Sequence, residues 1–209
     1  MKNVGLLLPL LFLFAACRRE PEPSVTSPPQ VQLMVPAGAE AETAKAREAV
    51  AAYAGELKAK LTSALAEGGA VGAIEVCHKI APELAQAHGE KSGLTIRRVT
   101  TRMRNPDAEP DAWELQTIGS FADRLRMGAS PANLEKAEAA TVDGQPVLRY
   151  AKAIPVDALC LTCHGQEIAP PIAQKLRDLY PEDNATAYQI GDLRGIFSVL
   201  VPMAKTGER

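Results

Sequence analysis

Aromatic side chains are scarce, 4% of the chain, with one tryptophan and four phenylalanines, which excludes a platform that stacks bases or sugars. Excess positive charge is missing too. The 23 lysines and arginines are scattered among 25 acidic residues, for a net charge of -2, so there is no basic stripe and nucleic acid is not expected as a partner. The apolar run from Val4 to Phe14 is too short for a dedicated membrane span. There is no internal repeat, no second linker and no second Cys-x-x-Cys pair, which leaves one folded domain and argues against a two-pair zinc framework.

What is present begins with an export signal. Basic Lys2, the apolar run and the small residues Ala15 and Ala16 stand before Cys17, so residues 1–16 read as a signal peptide. Small residues directly before a cysteine resemble a bacterial lipoprotein box, in which Cys17 takes the lipid and becomes the new N-terminus. Arg18 follows where an aspartate would mark inner-membrane retention, which favours the outer membrane. Residues 17–39 are rich in proline and serine and read as an extended tether. The domain, 40–209, is therefore expected on the periplasmic face of a bacterial membrane, held by lipid.

Within the domain, the Ala/Glu/Lys-rich residues 40–66 place Val50, Tyr53, Leu57, Leu61 and Leu65 at helical spacing, and this predicts a long N-terminal helix. Gly68 and Gly69 break it. A second helix over Val71–His88 puts Ile74, Cys77, Ala81 and Leu84 on one stripe, with Pro82 expected to kink or shorten it. Leu94–Arg102 reads as a strand. A third helix with Ile118, Phe121, Ala122 and Leu125 inward follows the loop Arg104–Asp111. Asp143-Gly144 marks a hairpin between 137–142 and 147–154. A short helix is expected from near Pro171 to Tyr180, and the apolar run Gly195–Val201 suits a strand covered on both faces. Helices first, then several strands around a helix, predict an α+β fold with an antiparallel sheet.

The chemistry lies in Cys160-Leu161-Thr162-Cys163-His164. Two thiols at this spacing meet the two vinyl groups of a haem, and the histidine directly after the second reaches the iron from the same face. One covalent haem c is thus expected on Cys160 and Cys163, with His164 as a metal ligand. The competing readings are a disulfide redox pair, which would want a thioredoxin-like βαβ context, and a zinc site that borrows Cys77-His78. Of four cysteines, Cys17 goes to lipid and two to thioethers, which leaves Cys77. It reads either as a small buried hydrophobe or as a thiolate on the iron opposite His164. His78 and Met103 are the other candidates for that position, and His88 a weaker one. Arginines of the Arg104 loop and of Asp192–Arg194 read either as turn chemistry or as partners of haem propionates. Trp113 reads as a core anchor sooner than as a haem-packing ring.

A set of ordered motifs runs from about Ala44 to Pro202: Ile74-Glu75-Val76-Cys77 with Ala81-Pro82, Arg104-Asn105-Pro106 with Pro110-Asp111-Ala112-Trp113-Glu114, Cys160–Gly165, Tyr180-Pro181-Glu182-Asp183, and Gly191-Asp192-Leu193-Arg194-Gly195 before Phe197-Ser198-Val199. In these the chain resembles a family of bacterial exported single-haem c-type cytochromes with a PAS-like haem-binding domain. The resemblance implies a PAS-like antiparallel sheet flanked by helices, haem on the Cys-x-x-Cys-His run, and Cys77 as second axial ligand. The chain departs from the family pattern at Ala108, where asparagine is expected, and at Ala187, where glycine is expected before Tyr188. The functional expectation is electron transfer through a low-potential His/Cys-ligated haem to a redox partner protein, with a haem-based redox or small-ligand sensor acting by docking as the alternative. A homo-oligomer is compatible with either, and no enzymatic activity is expected. Cys17→Ser should move the protein from the membrane fraction to the soluble periplasm with its haem content unchanged; unchanged partitioning would remove the lipid assignment.

Overall fold

In the computed structural model, which describes residues 35–204, the Ala/Glu/Lys-rich stretch forms helix α1, Glu40–Glu75. Residues 1–34, with the signal peptide, Cys17 and most of the tether, lie outside the described residues, as do 205–209. Glu40 and Glu42 in the first turn complement the positive end of the helix dipole. The expected break falls at Gly69, whose φ of 63° and ψ of -171° leave helical space and redirect the chain.

The second helical segment departs from expectation in an informative way. Pro82 has no N–H for the carbonyl of His78, and its ring crowds that carbonyl. The backbone answers by widening: Val76–Ile80 is a π-helical turn, in which the Ala81 N–H donates to the Val76 oxygen five residues back. Helix α2, Ala81–Ser92, then carries Pro82 in its first turn, where proline is tolerated. The helix therefore continues past His88 instead of being shortened.

Four strands form one antiparallel sheet in the order β1-β4-β3-β2, with β1 at Thr95–Val99, β2 at Glu135–Val142, β3 at Gln145–Pro155 and β4 at Leu193–Pro202. Asp143 and Gly144 have φ of 50° and 73° and make the two-residue turn of the β2/β3 hairpin, as the dipeptide predicts. Strand β1 is shorter than expected because the Thr100 N–H leaves the ladder for the carbonyl of Ala108. Helix α3, Ala112–Arg126, starts in a capping box between Asp111 and Glu114.

The apolar run of β4 is central and covered twice. Phe197, Val199 and Val201 pack with Val50, Tyr53 and Leu57 of α1, while Ile196 packs on the other face with Ile118 and Phe121 of α3. The short helices α4, Leu161–His164, and α5, Pro170–Leu179, lie between β3 and β4 in the chain. The class is α+β with a long N-terminal helix, as expected. Among the described residues no helix is long and apolar enough to cross a membrane.

Candidate functional site

Strand β3 ends in a 3-10 turn, Ala158–Cys160, that passes directly into α4. Asp157 caps this turn, its carboxylate accepting from the Cys160 N–H at 3.3 Å and pairing with Lys58 at 3.1 Å. Helical spacing then brings Cys160, Cys163 and His164 to one side, and all three line a cavity of about 460 Å³. That volume lies within the roughly 300–1,000 Å³ range of cofactor and small-molecule sites.

The end of α4 leaves carbonyls without helical partners, and two distant segments supply them. The Arg104 Nη2 donates to the Cys163 oxygen at 2.7 Å. Tyr188 N–H donates to His164 O at 2.9 Å, and Ala187 N–H to Gly165 O at 2.8 Å. The His164 ring is oriented by the same loop, with Nδ1 2.6 Å from the Ala185 carbonyl. A carbonyl can only accept, so Nδ1 carries the proton and Nε2 keeps its lone pair. Burial, reinforced by the nearby Arg194 and Arg104 cations, pushes the imidazole pKa down to about 2. The ring is a neutral donor. Burial also raises the Cys160 and Cys163 thiols above their ordinary value.

Other walls of the cavity come from the helices and the sheet. Leu61, Leu65 and Ile74 of α1, Tyr180 after α5, and Ile96, Arg98 and Gly195 of the sheet all face it. Gly195 is required there, because a Cβ would lie 2.4 Å from the carbonyl oxygen of Val99. Cys77, on the π turn, lines the same cavity as His164.

The rival ligands are not among the cavity-lining residues. His78 Nδ1 lies 3.1 Å from the Tyr180 hydroxyl, with the two rings edge-to-face. Met103 is half-buried, and its carbonyl accepts from the Asn184 N–H at 2.8 Å. His88 pairs with Glu56 at 2.9 Å. Trp113 sits with the α3 cluster, its Nε1–H donating to Glu138 and its ring centre 4.9 Å from the Lys136 ammonium and 4.4 Å from the Arg149 guanidinium. Among the described residues no group of three or more His, Cys, Asp or Glu side chains is placed to hold a metal ion. Two cavity residues were given no site role by sequence: Tyr180, read as a helix end and a motif residue, and Arg98, read only as part of a strand. Arg98 shares a strand face with Ile96, and that alternation was the available signal.

Residues 29–202 match the profile of the Tll0287-like family. The chain belongs to that family. Among solved structures, the crystal structure of the cyanobacterial haem protein Tll0287 matches with a TM-score of 0.58 at 23% identity, over 80% of this chain and 99% of that one. The likeness is one of fold, and the shared arrangement is PAS-like. No curated protein matches.

The departure at Ala187 now has a physical meaning. Its φ is 57°, in the left-handed region where a Cβ costs roughly 1–2 kcal/mol. Glycine removes that strain but loses more backbone freedom on folding. Ala187→Gly should therefore stabilise the protein by about 0.5–1 kcal/mol, read as a higher urea midpoint at unchanged slope. A lower midpoint would show that Ala187 contributes packing that outweighs the strain.

Proposed function

We propose that this chain is an exported, lipid-anchored, single-haem c-type cytochrome that transfers electrons through a haem ligated by His164 and Cys77. One observation carries the reading: Cys160, Cys163, His164 and Cys77 line one cavity, whereas His78, Met103 and His88 do not. Membership of the Tll0287-like family and the fold shared with a haem protein support it. The donor set fits the group, with two thiols for the vinyl carbons, a neutral imidazole with a free Nε2, and a further sulfur. When bound, the haem supplies a one-electron iron couple.

The protein's part is positioning and tuning. Cys160 and Cys163 hold the haem by thioethers. His164 is fixed in ring orientation and tautomer by the Ala185 carbonyl, a second interaction that also raises its strength as a donor. Cys77, as a thiolate, donates more charge than a thioether would and favours the ferric state, which sets a low potential. A redox protein of the periplasm is the partner this chemistry calls for, and no catalysis is required of the site. The sensor reading uses the same residues and differs in whether Cys77 leaves the iron. It draws on the PAS-like fold, which is an analogy.

Protein matured with a haem-attachment system should gain the mass of one haem that survives acid and organic solvent. In the same preparation Cys77→Ala should keep that mass, lose the low-spin ferric thiolate spectrum and show a raised potential. Haem stripped by solvent would end the c-type reading. An unchanged spectrum and potential in Cys77→Ala would move the sixth ligand elsewhere.

A further inference from the structure

Four arginines line the cavity, Arg97, Arg98, Arg104 and Arg194, against a single carboxylate, Asp107, which is exposed. Two of the four are already engaged by the protein. Arg104 is 8% exposed, pairs with Asp183 at 2.9 Å and donates to the Cys163 carbonyl at 2.7 Å. Arg97 donates to the Glu109 carbonyl at 2.8 Å and lies 3.8 Å from the Glu114 carboxylate.

The other two have neutral partners only. Arg98, on β1, lies near the Tyr53 hydroxyl of α1, and Arg194 donates to the Arg102 carbonyl at 3.3 Å with its guanidinium 5.4 Å from the centre of the Tyr188 ring. Neither forms an ion pair with any described carboxylate. Burial lowers the pKa of Arg194, and repulsion from Arg104 and Arg98 adds to the effect. Cations gathered in a partly desolvated cavity are costly until an anion compensates them. Two uncompensated guanidiniums on neighbouring strands suit a ligand with two carboxylates, since the planar fork of arginine matches a carboxylate bidentately.

We propose that Arg98 and Arg194 bind the two propionates of the haem, one each, and that Arg104 does not. This rests on the haem reading above. It divides the cavity arginines by role: Arg104 and Arg97 hold the protein together, while Arg98 and Arg194 hold the cofactor's acidic edge. It also separates the two tuning charges. Cys77 favours the ferric state from the iron, and the two guanidiniums favour the ferrous state from the periphery.

The test uses the mature protein and its Arg98→Gln, Arg194→Gln, Arg98→Lys and Arg194→Lys variants, with covalent haem followed by mass, potential by titration, and the propionate-bending band by resonance Raman. Each Gln variant should keep its covalent haem, because the thioethers do not involve arginine. Each should shift the propionate band, which responds to hydrogen bonding at the carboxylate, and lower the potential. Each Lys variant should recover most of the potential while the band stays shifted, since the charge returns without the fork. Should a Gln variant fail to fold, its Lys variant still reads the band. Wild-type band and potential in the variants of both positions would overturn the assignment while leaving the haem reading intact. A wild-type protein that takes up no covalent haem would end both.

Discussion

The buried guanidinium of Arg104 is the contact on which the site depends. It bonds the Asp183 carboxylate through Nε at 3.0 Å, the Cys163 carbonyl at 2.7 Å and the Ala185 carbonyl at 3.4 Å. That last oxygen also accepts the proton of His164 Nδ1. One side chain thus joins the loop after β1, the end of α4 and the segment before Tyr188. Asp183 completes the ring by accepting from the Ala185 N–H at 2.8 Å. Removing one member of a buried pair of this kind costs about 3–5 kcal/mol, because the other charge stays behind. Here the loss would fall on the orientation of His164 before it fell on the sheet, which has its own core.

A second constraint acts from the helical side. Cys77 and His78 are neighbours on the π turn, and only Cys77 lines the cavity. Pro82 accounts for the turn that carries them both. On the widened backbone of Val76–Ile80, Cys77 stands on the cavity wall with Ile74 and Ala81, and His78 lies against the Tyr180 hydroxyl. The proline that reads in sequence as a helix breaker is therefore absorbed by a π turn, and the helix continues.

How much of this was legible follows from the range of each interaction. Elements set by local pattern were readable: the Asp143-Gly144 hairpin, the doubly covered β4, the break at Gly69 and the helical stripe through Tyr53. The Cys160–His164 run stood out by its spacing, and the structure brings its two thiols and its imidazole to one cavity. The role of Arg104 was not, since its partners lie 59, 79 and 81 residues away and no local period marks them. Sequence offered it as turn chemistry or as a propionate partner, whereas it is a buried tie between loops. Arg98 went unnoticed because Leu94–Arg102 was read as a strand without asking which face each side chain takes. The glycine that the family pattern expects at position 187 agrees with the backbone, which is left-handed there although this chain carries alanine.

The same helix stripe serves two ends, and this links the fold to its chemistry. Val50, Tyr53 and Leu57 are buried against the sheet, while Leu61 and Leu65, one and two turns on, are only half-buried and face the cavity. Gly69 then redirects the chain so that Ile74 and Cys77 face that cavity too. Apolar walls lower the local dielectric, and charges within them act more strongly than they would in water. A thiolate on the π turn and guanidiniums on β1 and β4 would then act on one haem with opposite sign from separately anchored elements. The potential of such a site is a difference between two large terms. Substitutions on the helical wall and on the sheet wall can move it independently.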